Sequence, residues 1–288
     1  MKKTLLTLLT CMSLSSLLVA QNAKETSIEF NKKSQPAVSA DFDMPGMITE
    51  GAIKKKMKDA KIKGGNSKDG FITYAEVIIP EIRAEKMDVY FKIEDKTTSS
   101  TLYMLTSKGY ENFMSQATDP EVSAKTIAYI TSLKKDIMTY GYNDEIAKQT
   151  EKQEDLEKDL KKAVKKGESL IKDKAQTESN INKNQNNIGN LKADKESQQK
   201  TLDFVRAKTG TVEQMNSIKK EISKQEDAVK KATKKYESAL EDADDYKKDL
   251  EKTNTNINEN QSEQVRLKGE IEKVKSLIAD LKGKLSAL

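Results

Sequence analysis

Three groups of residues have types and spacing that could do chemistry. The first is the glycine-rich run Lys63-Gly64-Gly65-Asn66-Ser67-Lys68-Asp69-Gly70. A phosphate-cradling loop follows a strand, ends in Gly-Lys-Ser/Thr and opens a helix. Here Phe71 stands where the lysine should be, and the flanking patterns read as helix then strand. The run is therefore an ordinary helix-to-strand connection. The second group is a lysine series on a helical stretch: Lys54, Lys55, Lys58 and Lys61, with Lys56 and Lys63 beside them. Such a series suits contact with an anionic surface, such as lipid headgroups or a cell-wall polymer, although a solvated helix face has the same composition. The third group is Glu76, Glu81, Glu94 and Asp95, the carboxylates in or beside strand-like segments. Paired carboxylates hydrolyse glycosides, but nothing in the spacing pairs these four.

The remaining chemistry is limited by what the chain lacks. It has no His, no Trp and one Cys, Cys11. Histidine general bases, His/Cys zinc sites, nucleophile–His triads and disulfides are excluded. No cofactor motif and no metal-ligand spacing is present, so no catalytic, cofactor-binding or metal-binding residue is assigned. The charge is nearly balanced, with Lys+Arg 51 against Asp+Glu 46. Nucleic-acid binding needs a dominant basic face, so nucleic acid is not an expected partner.

These groups must be carried by a fold, and composition divides the chain near residue 142. All four prolines, Pro36, Pro45, Pro80 and Pro120, precede residue 121, and only Phe204, Tyr236 and Tyr246 among the aromatics follow Tyr142. Proline breaks helices and aromatics fill globular cores. Residues 21–142 read as a small α+β head domain, and 143–288 as a helical stalk. In the head, Ser27–Asn31, Ala37–Asp43, Phe71–Ile82, Lys86–Asp95 and Ser99–Thr106 have strand composition. Ile48–Ile62 has helical spacing, and Asp119-Pro120 starts a helix carrying Ile127, Ile130, Leu133 and Ile137.

The stalk carries two heptad repeats. One begins with Ile146 at position a and Gln149 at d, and runs to Val205. Ten of its 18 seam positions are apolar, against 6 of the other 42. The second begins with Met215 at a and Ile218 at d, and runs to Leu288. Eighteen of its 22 seam positions are apolar, against 6 of the other 52. A sustained repeat of this period must face another helix. Lys208-Thr209-Gly210-Thr211 separates the arms. Gly210 suits a left-handed helix end, and Thr211 with Gln214 suits a capping box. The two phases agree with a fold-back about Gly210 that sets a against d: Leu202 with Ile218, Asn184 with Tyr236, Lys195 with Gln225, Gly167 with Thr253. The fold class is thus an α+β head followed by a long antiparallel coiled-coil hairpin with its tip at 208–211. Each arm should span roughly 95 Å. The apolar end of the second arm, with Ile278 and Leu281, should return to the head. The segment Asn180–Gln185 (NINKNQ) recurs as Asn256–Gln261 (NINENQ), an echo that reads as a soft spot or as low-complexity drift.

At the N-terminus, Lys2 and Lys3 precede an uncharged apolar run ending at Ala20. This is the build of a cleaved secretory signal, with cleavage after Ala20; Ala23 and a lipidated Cys11 are the alternatives. The expected location is the periplasm or surface of a Gram-negative bacterium, with no transmembrane span after cleavage. The expected function is that of a non-catalytic envelope protein. It would act as a spacer or scaffold for a protein partner, with self-association possible in principle, through tip residues Phe204, Val205, Val212 and Met215. The build is similar to that of Skp-type and prefoldin-type chaperones, which carry coiled-coil tentacles on a β-rich body. That resemblance implies a periplasmic holdase as the second reading. A carboxylate-dependent hydrolase in the head is the third.

Overall fold

The computed structural model describes residues 23–288. The signal segment, cleavage after Ala20 and lipidation at Cys11 lie outside the described residues. The chain is a six-stranded antiparallel sheet with a short helix, followed by two long helices of 87 and 75 residues packed against each other as a hairpin. The elements run β1 (Lys24–Phe30), β2 (Lys33–Phe42), α1 (Gly46–Asp59), β3 (Asn66–Lys68), β4 (Phe71–Ile79), β5 (Arg83–Asp95), β6 (Ser100–Ser107), α2 (Pro120–Arg206) and α3 (Val212–Ser286). They fall into two compact units. One holds the described residues up to Gln149 together with Leu277–Leu288; the other is Thr150–Ser276.

In the first unit the strand order is β1-β2-β6-β5-β4-β3, and every neighbouring pair is antiparallel. The side-chain period of two sorts the faces. Met87, Val89 and Phe91 of β5 look to one side. They bury with Leu102 and Met104 of β6 beneath Ile53 and Met57 of α1 and Ile130, Leu133 and Ile137 of α2. Tyr90 looks to the other side, where Phe30, Phe71 and Phe113 form a smaller aromatic cluster with ring centroids 4.8–5.9 Å apart. The sheet is therefore packed on both faces, the larger core lying under the helices. Strand β3 falls inside the glycine-rich run, where a loop was expected. It pairs with β4 because Asp69 and Gly70, both at positive φ, close a tight hairpin. The C-terminal turn of α3 belongs to this unit. Lys284 is held above the ordinary lysine range chiefly by its bond to Asp280, with a smaller contribution from Tyr142, which places that turn near the first third of α2.

Helix α2 begins as its sequence dictates. Asp119 is the cap: its Oδ1 accepts the Val122 N–H at 3.3 Å and its carbonyl accepts the Ser123 N–H at 3.0 Å. Lys108 lies 3.0 Å from the same carboxylate. The Lys108 hydrogen bond holds the Asp119 carboxyl below the usual carboxylate range. A depressed carboxyl contributes stability that is present above its unfolded value and lost as pH falls through the folded one. Asp119→Ala should therefore cost about 1 kcal/mol at neutral pH. The cost should shrink as the solution is acidified from about pH 7 to below the ordinary carboxylate range, as the native cap itself takes up a proton. Urea denaturation at the two pH values checks this; an equal loss at both would show that the carboxylate charge is not involved.

The second unit is the hairpin proper. Every a and d position of the two heptad repeats is buried or half-buried in the chain, except Met215. The stagger of the arms differs from the fold-back reading. Asn184 Nδ2 donates to the Ala239 carbonyl at 2.8 Å, Asn260 Nδ2 to the Ala163 carbonyl at 3.0 Å, and Gln225 Nε2 to the Gln198 Oε1 at 2.6 Å. All three join d to d rather than a to d. From one pair to the next, the number falls in α2 by as much as it rises in α3, so one stagger holds for all three. The physical reason is polar satisfaction. Against Tyr236, the buried Asn184 amide would meet a ring; against Ala239, a small side chain leaves the backbone carbonyl within reach. Gly167 likewise lies by Asn260 and not Thr253, since a Cβ there would come within 2.6 Å of Asn260 Oδ1. Lys195 keeps its stem on the seam and its ammonium 5.3 Å from the Tyr236 ring centroid.

Candidate functional site

The hairpin turn is the first candidate surface. Helix α2 ends at Arg206 and α3 begins at Val212. The turn is pinned from outside the seam: Arg206 reaches Glu226 at 2.6 Å and Lys208 reaches Glu221 at 2.9 Å. Half of the capping box is present, with Gln214 Oε1 accepting the Thr211 N–H at 2.8 Å. Gly210 is not at positive φ. Its small size has another use: a Cβ would come 2.5 Å from Gln214 Oε1, so any larger residue would make the folded-back cap shift.

The four tip residues separate. Phe204 is 69% exposed and Val212 84%, and Met215 is 37% exposed at the mouth of the seam, while Val205 is 3% exposed and belongs to the seam itself. Lys208 sits 5.6 Å from the Phe204 ring centroid. The turn therefore offers an aromatic ring, two aliphatic side chains and a rim of charge within residues 204–215.

The second candidate is the lysine helix. Its residues also separate. Lys55 is paired with Asp59 at 2.5 Å, a contact that raises its pKa, and it lines a cleft with Asp136 and Tyr140. Lys54, Lys58 and Lys61 line a different groove, together with Lys63, Gly64, Gly65 and Tyr74. Lys54 is bonded to Glu50 at 2.6 Å. Among the described residues no ion pair engages Lys58, Lys61 or Lys63. Helix α1 ends here in a two-bond closure: the Ile62 N–H bonds the Met57 carbonyl, and the Lys61 N–H bonds the Lys58 carbonyl, each at 2.9 Å. That closure needs a left-handed residue at Lys61, whose φ is 59°. Sequence spacing found the lysines. It missed Tyr74, which comes from β4 and meets them only through the fold.

The carboxylates are dispersed. Glu76 pairs with Lys86, Glu94 accepts from Tyr103, and Asp95 accepts the Gly46 N–H at 2.6 Å. Among the described residues no cluster of His, Cys, Asp or Glu is arranged to hold a metal ion, and no helix is long and apolar enough to cross a membrane. Comparison with protein-family models, curated proteins and solved structures finds no match to this chain.

Proposed function

We propose that this chain is an exported, non-catalytic envelope protein, a spacer or scaffold that engages a protein partner through the hairpin turn. The observation that supports this reading is the exposure of Phe204 and Val212 beside Met215, the exposed seam position of the hairpin; Ile171 and Val265 are exposed on the flanks of the arms, away from the turn. Exposed aromatic and aliphatic groups ringed by charge have the make-up of an interface centre. Arg206–Glu226 and Lys208–Glu221 hold the backbone beneath them, so a partner would meet a preformed surface.

The test is a photo-crosslinking side chain placed at position 212 in cells that make the chain. One discrete adduct is expected, and Phe204→Asp should reduce its yield about tenfold, as the loss of an interface anchor does. A ladder of many adducts would overturn the scaffold reading in favour of the holdase. An adduct indifferent to Phe204→Asp would remove the turn from the interface.

A further inference from the structure

The groove at the end of α1 combines features that the scaffold reading does not use. It has a volume of about 620 Å³ and is open to solvent. Lys54, Lys58, Lys61 and Lys63 stand around it, and only Lys54 has a carboxylate partner, Glu50. The Lys63 and Gly64 amides donate to no protein acceptor among the described residues, whereas the Gly65 amide is taken by the Thr73 carbonyl at 2.9 Å. The floor is Tyr74. It is 2% exposed, and its hydroxyl makes no hydrogen bond to protein among the described residues. A buried hydroxyl without a partner costs free energy, and this one is a donor with no protein acceptor among the described residues, in a residue that lines the groove.

The glycines explain how the loop reaches this floor. A Cβ on Gly65 would lie 3.0 Å from the Tyr74 hydroxyl, and one on Gly64 would lie 3.0 Å from the ring, with φ at 86° and 130° respectively. Only glycine lets the backbone rest on the tyrosine in this conformation. Lys61 is the converse case. Its left-handed backbone would be about 1 kcal/mol more comfortable as glycine, yet a lysine stands there and lines the groove.

We propose that this groove is a binding site for a phosphate group, carried either by a soluble phosphate ester or by a phospholipid headgroup. The donor set decides the chemistry. Three unpaired ammonium groups, two free amides and a phenolic hydroxyl exceed what the two oxygens of a carboxylate accept, but match a tetrahedral anion with several charged oxygens. The site lies in the sheet unit and is independent of the turn, so it stands whether or not the turn binds a partner.

The experiment uses the full chain and two probes. Glycerol phosphate is titrated by calorimetry, and vesicles of phosphatidylcholine with and without phosphatidylglycerol are tested by co-sedimentation. Saturable binding of glycerol phosphate identifies a soluble ester as sufficient. Binding to phosphatidylglycerol vesicles alone identifies the headgroup. In whichever arm binds, Lys58→Gln with Lys61→Gln should weaken binding at least ~10-fold, the order expected for charge-assisted bonds. Tyr74→Phe should weaken it ~3- to 10-fold at an unchanged melting midpoint. Lys152→Gln with Lys161→Gln, on the hairpin, should change nothing. Absence of saturable binding in both arms overturns the proposal. So does binding that Tyr74→Phe leaves unchanged, because that would describe a diffuse lysine patch and not a built site.

Discussion

Replacing Phe91 by alanine is expected to cost about 3–5 kcal/mol and to leave the sheet unit largely unfolded at moderate urea. Phe91 is 0% exposed and central on β5. Its cross-strand neighbours are Ile72 on β4 and Met104 on β6, and its ring meets Tyr74 edge-on at 6.1 Å. The cavity would open between sheet and helices, where strands paired on both sides cannot move in to fill it. A domain of this size has about 5–15 kcal/mol to lose, so one truncation removes a large share. Near-ultraviolet circular dichroism reports the change, because most of the tyrosines and phenylalanines lie in this unit. The signal should vanish at a much lower urea concentration in Phe91→Ala than in the native chain. A midpoint shifted by no more than the error of the measurement would mean that the core described here does not hold the sheet.

The parts of this structure that were legible in the sequence are those governed by period. Alternation placed all five expected strands within a few residues of β1, β2, β4, β5 and β6, and the 3.5-residue repeat named the seam of both arms down to single positions. Asp119-Pro120 marked the start of α2 because a cap and a fixed φ are local properties. Illegible were features set by contact across the chain. The heptad fixes which side chains enter the seam, but every whole-heptad shift keeps them there, so the stagger depends on what Asn184, Gln198, Gln225 and Asn260 can bond. Gly210 suits a left-handed helix end by residue type alone, whereas in the fold the space it leaves is taken by the Gln214 side chain. In the lysine groove the spacing of Lys54, Lys58 and Lys61 follows one helix face, whereas the floor comes from Tyr74, which no helical period can foresee.

The asparagine echo makes the stagger testable. The same offset that separates Asn184 from Asn260 separates their acceptors, Ala163 and Ala239, so the two arms make one contact twice under a local two-fold relation. Shift the arms by a heptad in either direction and Asn260 meets Leu156 or Leu170 at the facing d position. A buried amide that loses its acceptor costs about 1–3 kcal/mol. Replacing both asparagines by leucine, which has the same branched four-atom side chain, removes that cost from the slipped states and adds apolar burial to all of them. Asn184→Leu with Asn260→Leu should therefore raise the stability of the hairpin by about 2–4 kcal/mol while weakening its register, as polar seam residues trade stability for alignment in coiled coils. Melting followed by circular dichroism reads the first effect. Distance distributions between spin labels at positions 165 and 258 read the second: one population in the native chain, and in the double variant a further one displaced by about 10 Å along the axis, the rise of one heptad. A lower melting point would show that the amides contribute more than leucine packing can replace. A higher melting point with a single unshifted distance would assign the register to the remaining layers, with Gln198–Gln225 the first of them to remove.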